Sequence, residues 1–265
     1  MKKNCYKLQL ILLKRVYKNI ASYYVFFLYT YAWVLRAILN KLLSIFFLPF
    51  LVLASVQFDG VVNDEEWEGA QIYDLPFEID PSYNAEAEHK TDVYIKHDDS
   101  YLYVAFKAYG NRDYIRANIR SRDGINWLDD QVAIGIDTFG DGRYYIRFAA
   151  NPMGSIGDNK VDNNDNFDGS YNVEFDAKAQ ITDYGYEVEF KIPFTSLNFP
   201  ELPSQKWKLM LSRKLYNKGL EARYLNYEKI DGAGCIICQS TDSYLLSNIV
   251  KKSKKRLIPS FTTNS

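Results

Sequence analysis

Histidine is scarce in this chain: His89 and His97 are the two copies in 265 residues. Imidazole is the usual general base near neutral pH, and neither copy lies at a spacing that suggests a Ser/His/Asp or Cys/His constellation. His97 stands beside Asp98 and Asp99, a surface setting. Cysteine is scarce too, with three copies. Cys235 and Cys238 make a single CxxC, whereas a closed zinc site takes about four ligands. A local disulfide suits an exported protein, but a buried thiol pair is the preferred reading. Segments of helical period are missing after residue 57, and there is no internal repeat. Carboxylates are plentiful, yet no pair has a carrier strand or a cleft that would mark glycoside hydrolysis. Residues 1–57 contain no acid and eight Lys or Arg, and the run KKSKKR from Lys251 adds five more. Removing those thirteen charges from a net charge of −1 leaves −14 for the remainder. A domain that acidic excludes nucleic acid, whose phosphates demand a basic face. It suits cations and neutral polar ligands.

Aromatic residues are abundant, with 22 Tyr and 16 Phe, and they favour pleated, half-buried surfaces. The chain centres on WLDDQVAIGIDTFGDGRYYIRFAANP, residues 127–152. Val132, Ile134 and Ile136 share one strand face, because side chains alternate with period two. Ile146 and Phe148 follow on a second run after a turn containing Gly140 and Gly142, which supply the freedom a tight reversal needs. Trp127 sits at the mouth of the first strand. Arg147 is one residue out of step with the apolar face. An indole and a guanidinium thus come near one another on the side away from the core, a pairing suited to a sugar ring. Trp127 lies in a polar context, DGINWLDD, and core packing is the competing reading for it. Trp67 and Trp207 read as core.

Other alternating runs cover residues 91–97, with Val93 and Ile95 inward, and 101–109, with Leu102, Val104 and Phe106 inward. Asp98-Asp99-Ser100 turns between them. A weak strand is expected over 115–119, then strands at 173–181 and 186–192, and a final hairpin at 207–216 and 222–227. Strands at this spacing predict an all-β fold, an antiparallel β-sandwich of jelly-roll type. Residues 157–172 read as a polar loop. Asp158, Asp162, Asp165 and Asp168 crowd it, and oxygen ligands at that density suit calcium. Phe167 stands where a helix–loop–helix calcium loop requires Gly, and a solvated loop is the alternative.

DGVVNDEEW, DDSYLYVAF, WLDDQVAIGIDTFGD, RFAANPMG and DYGYEVEFKIPFTSL together resemble the family 9 carbohydrate-binding module, over residues 58 to about 248. The variant is most similar to that at the N-terminus of bacterial outer-membrane β-barrel proteins, and the tail RLIPSFTTNS resembles the first residues of such a barrel. The resemblance implies a β-sandwich accessory to polysaccharide breakdown, with no active site of its own. It implies a sugar-stacking role for Trp127 and a sugar-binding role for Arg147. A carboxylate expected six residues after the Trp is Ala133 here, and an amide expected two residues after the Arg is Ala149. The second stacking Trp has no counterpart: Ser240 falls about there, and Tyr244 is the nearest aromatic.

Three segments follow: 1–57, cationic and hydrophobic; 58–250, the sugar-binding-like sandwich; 251–265, a basic tail. The expected ligand is a polysaccharide or oligosaccharide, with an outer-membrane β-barrel as a further partner. One rival reading is a structural or interaction domain beside such a barrel. Another is a b-type haem sandwich, in which Met153 or Met210 with His97 would be ligands. Residues 42–56 are short for a membrane span of about 20 residues but have the form of a signal-peptide core, with Lys41 as the charged flank and small residues at 52–54. The expected location is exported: periplasmic and outer-membrane-associated, or secreted. The depth of the core points to a natural start near Val34 to Leu39. A retained anchor built from both apolar runs is the alternative. Sequencing of the mature N-terminus is expected to begin near Ser55 or Val56. An intact Met1 refutes cleavage.

Overall fold

The computed structural model describes residues 30–40, 56–125, 128–217, 219–247 and 249. It divides the chain into two units, one ending at Leu53 and one starting at Ala54. In the first, residues 30–40 are helical (α1). Among the described residues no helix is long and apolar enough to cross a membrane. The apolar core expected at 42–56 lies, but for Val56, outside the described residues, as does the basic tail.

The second unit is a sandwich of two antiparallel sheets. Its strands are β1 (Gln71–Asp74), β2 (Phe77–Asp80), β3 (Ala85–Glu86), β4 (Thr91–His97), β5 (Tyr101–Tyr109), β6 (Gln131–Asp137) and β7 (Tyr144–Ala150). They continue as β8 (Ile156–Asp162), β9 (Phe167–Asp168), β10 (Asp176–Thr182), β11 (Gly185–Pro193), β12 (Ser204–Asn217), β13 (Leu220–Leu225) and β14 (Ser243–Ser247). Sheet one runs β1-β4-β5-β11-β10. Sheet two runs β3-β2-β13-β12-β6-β7-β8-β9, with β14 also paired to β12. One short helix, α2 (Ile236–Gln239), interrupts the approach to β14.

The alternating residues meet as expected. Val93, Ile95, Leu102, Val104 and Phe106 from sheet one face Val132, Ile134, Ile136, Ile146 and Phe148 from sheet two in one apolar core. Fully burying one such side chain stabilises the fold by about 1.5–3 kcal/mol. Trp207 belongs to this core. Trp67 is buried as well, but against Val62 and Ala105 on the outer face of sheet one.

Four local expectations need correction. Residues 115–119 form no strand; Arg116 instead offers its carbonyl to Asp130 N and lays its guanidinium over the Tyr216 ring. The stretch from 157 is not all loop, because residues through Asp162 pair with β7 as β8. The strand expected from 173 begins at Asp176; Val173 N is taken up by the Asp158 carboxylate instead. Cys235 and Cys238 are joined in a disulfide rather than held as thiols.

The chain enters the sandwich as a strap across sheet one. Glu189 Oε2, on the outer face of β11, accepts from Asp59 N at 3.0 Å and Gly60 N at 2.8 Å. Glu187 Oε2 accepts from Val62 N at 3.1 Å. Gly60 has φ +96°, and a Cβ there would stand 3.0 Å from Ala179 N, so the DG dipeptide is a backbone requirement. Burial pushes the Glu189 carboxyl up to about 7. The folded protein therefore holds a proton that the unfolded carboxyl releases near its ordinary value of 4.5. This contribution to stability is complete below that ordinary value and is lost as pH rises through about 7. Glu189→Gln keeps the acceptor and removes the titration. Its melting temperature is expected to fall less than wild type between about pH 5 and pH 8; parallel curves would refute this.

Candidate functional site

The outer face of sheet two is the candidate site. Residues out of step with the core line it, and the register sets them in rows. Met210, Gly135, Arg147 and Asn159 lie side by side across β12, β6, β7 and β8. Ser212, Ala133, Ala149 and Gly157 form the next row. Small side chains thus make the floor of a trough, and two linked cavities of about 290 and 220 Å³ open over it. Together they fall in the range of small-molecule sites, about 300–1,000 Å³.

Gly135 is a steric requirement. A Cβ there would come within 2.7 Å of Tyr145 Cδ2 and 3.0 Å of Met210 Cε. Tyr145 and Met210 close over the strand into a cluster with Leu225, Tyr227 and Ile237. Burial holds the Tyr145 phenol up, to about 12, and raises that of Tyr227 too. Both stay neutral; Tyr227 donates to Ile236 O at 2.9 Å.

Arg147 and Phe167 each line both cavities. Arg147 Nη2 donates to Gln131 Oε1 at 3.0 Å. Phe167, on β9, is an exposed apolar plate. Asn159 Oδ1 is buried and has no hydrogen-bond partner among the described residues. The smaller cavity thus offers a guanidinium donor and an aromatic edge.

The loop before β6 closes one end. Asp123 and Ile125 line the smaller cavity, and Asp123 Oδ1 accepts from Asp158 N at 3.1 Å. Trp127 lies outside the described residues. The loop is pinned immediately after it. Asp129 takes Arg120 Nε at 3.2 Å and Asn151 Nδ2 at 3.4 Å, and Asp130 Oδ1 accepts from Tyr216 N at 3.0 Å. Burial raises the Asp130 carboxyl to about 7.

Arg147 is on the expected outward face, with Ala133 and Ala149 paired beside it. Tyr244 is not. It is buried in the main core, its ring edge-on to His97 and its hydroxyl 2.8 Å from His97 Nδ1. Its register opposite Trp207 turns it inward, so it offers no platform to the trough. The haem ligands proposed from sequence are not brought together either. His97 is half-buried and engaged with Tyr244, Met210 belongs to the trough-side cluster, and Met153 is exposed.

The four aspartates expected to hold calcium are also kept apart. Asp158 takes Arg122 Nη2 at 2.5 Å and Val173 N at 2.6 Å. Asp162 caps its own turn through Asn164 N and Asn166 N. Asp165 accepts from Ile236 N at 2.9 Å, and Asp168 accepts from Ser170 N at 3.0 Å. Among the described residues no group of three or more His, Cys, Asp or Glu is placed to hold a metal ion.

Gln131, Asn159, Phe167 and Lys214 line the trough without having been singled out from sequence. Gln131 could have been found, because it continues the outward parity of Ala133 and Gly135. Asn159 and Phe167 were hidden by reading their segment as loop.

Residues 58–226 match the family model for carbohydrate family 9 binding domain-like proteins. The chain belongs to that family. Three solved structures resemble this family 9 domain. A carbohydrate-binding module of family 9 from Caldicellulosiruptor kristjanssonii, in complex with cellotriose, is 16% identical with a TM-score of 0.48, covering 77% of this chain and 94% of that one. A family 9 module from the same organism in complex with glucose is 18% identical with a TM-score of 0.47, covering 77% and 95%. A putative carbohydrate-binding protein from Bacteroides uniformis ATCC 8492 is 13% identical with a TM-score of 0.49, covering 68% and 86%. No curated protein matches the chain.

The floor of the family 9 trough has little room for extra atoms. Gly135→Ala is expected to destabilise the domain by about 1–3 kcal/mol through overpacking, read as a lower midpoint in chemical denaturation. An unchanged midpoint would show that Tyr145 and Met210 can separate freely.

Proposed function

We propose that this domain binds oligosaccharides in the trough on sheet two and performs no chemistry on them. One observation carries this reading: Arg147 and Phe167 each line both cavities. A flat apolar plate beside a planar donor matches the two surfaces of a pyranose, its C–H face and its hydroxyl rim. Trp127, from the loop that borders the smaller cavity, is the proposed second plate. The role is accessory to polysaccharide breakdown, in an exported protein. The acid-free, apolar N-terminal stretch and the Cys235–Cys238 disulfide support that location, since disulfides persist in oxidising compartments.

Calorimetry on soluble xylan, glucan and mannan tests the reading. Trp127→Ala is expected to cost about 2 kcal/mol or more of binding, as removal of an anchor does. Phe167→Ala is expected to cost about 0.5–1.5 kcal/mol. Arg147→Lys should fail to restore what Arg147→Ala loses, because an ammonium lacks the planar fork. Melting temperatures serve as the control. Wild-type protein that binds none of the glycans would refute the proposal. If Trp127→Ala unfolds the domain, the indole is core and not part of the site.

A further inference from the structure

Past Arg147 the trough changes its chemistry. Arg147 and its acceptor Gln131 line both cavities, so this pair marks the junction between them. Beyond the junction, the charged side chains of the larger cavity and its second glutamine are committed to the protein itself. Arg213 Nη1 donates to Thr91 Oγ1 at 3.0 Å. Arg223 and Lys229 pair with Glu221 at 2.8 Å and Asp231 at 3.7 Å. Lys214 lies among Glu221, Asp130 and Asp129, and its ammonium is buried. Gln239 accepts from Ile230 N at 2.7 Å and donates to Gly234 O at 3.2 Å.

What the larger cavity presents to a ligand is mainly carbon. Ile79 on β2 and Ile236 on α2 are half-buried, Phe167 is exposed, and all three line it. The two isoleucines pack on the buried cluster of Tyr145, Met210, Leu225 and Tyr227. A sugar ring moved there would trade the water around its hydroxyls for a mostly apolar wall, which costs free energy. An apolar ring has no such loss and gains by leaving water. The space also suits a ring. An apolar cavity of about 150 Å³ takes benzene, and this one measures about 290 Å³, room for a substituted ring and far more than an acetyl group fills.

We propose that the larger cavity receives the aromatic ring of an acyl ester carried by the oligosaccharide, held between Ile79, Ile236 and Phe167. This rests on the oligosaccharide reading above and narrows it to glycans with aromatic ester substituents. A sugar in the smaller cavity that sends a ring into the larger one passes its linking atoms by Arg147. An ester carbonyl at that point meets a guanidinium, which carries five N–H donors in a planar fork, one of them directed at Gln131.

The test is calorimetry with three ligands: a xylo-oligosaccharide bearing one feruloyl ester, the same oligosaccharide with an acetyl ester at that hydroxyl, and the unesterified form. The feruloyl form is expected to bind about tenfold tighter or more than the unesterified form, the gain from burying one aromatic ring. The acetyl form is expected to gain far less. In Ile79→Ser and Ile236→Ser the ratio of feruloyl to unesterified affinity should fall toward one. If either serine variant does not fold, the alanine variant at that position serves, with the same ratio as readout. Equal affinities for the feruloyl and unesterified forms overturn the inference and leave the oligosaccharide reading standing. An acetyl form that binds as tightly as the feruloyl form overturns the ring as the group recognised. A ratio unchanged at both positions overturns the assignment to the larger cavity. Binding of none of the three overturns this inference and the oligosaccharide reading together. Methyl ferulate binding as tightly as the feruloylated oligosaccharide overturns the sugar as the carrier of the ring.

Discussion

The two faces of β6 are under opposite demands, and the domain is arranged around that conflict. One face carries Val132, Ile134 and Ile136 into the sandwich core; the other carries Ala133 and Gly135, and every residue of the strand is buried. A central strand covered on both sides usually reads as continuously apolar and bulky. Here one side is reduced to the least possible side chain. That reduction lets Tyr145 and Met210 meet over the backbone. It also leaves empty volume beside them, where a larger residue would have filled the space. The trough is a consequence of what β6 omits.

The loops that join the strands are held by carboxylates that accept backbone N–H groups. Asp137 takes Phe139, Gly140 and Gly142 N, folding the β6–β7 turn. Asp98 takes Ser100 and Tyr101 N. Asp158, which lines the smaller cavity, takes Val173 N and the Arg122 guanidinium. Charge-assisted bonds of this kind are stronger than neutral ones, and they satisfy donors that the sheets leave open. Much of the central acidity is therefore structural. Several of its carboxylates are committed to the main chain.

Sequence made the sandwich legible wherever a strand has one core face and one other face. Residues 91–97, 101–109, 132–136, 146–148 and 186–192 alternate, and all fall within strands. The short strands β1, β2 and β3 escaped because two or four residues cannot establish a period. β8 escaped because its outward residues are Gly157 and Asn159, which read as turn. Of the site, the outward face of Arg147 followed from parity, and Ala133 and Ala149 were noticed through the family resemblance. Tyr244 failed for a physical reason: proximity along the chain says nothing of which face β14 presents, and its pairing with β12 sends the ring inward. The aspartate-rich stretch failed as a cluster because each side chain is short enough to be consumed by its own turn.

The strap and the trough lie on opposite sides of the sandwich. Val56, Val62 and Trp67 pack against Tyr94, Tyr103 and Ala105, on the outward side of sheet one, while the trough is on the outward side of sheet two. The polypeptide thus arrives at the back of the domain. The residues that fasten it, Glu187 and Glu189, act on the face that the trough does not use. The two outward faces of the sandwich thus divide the labour: one is spent on holding the chain, and the other is left concave.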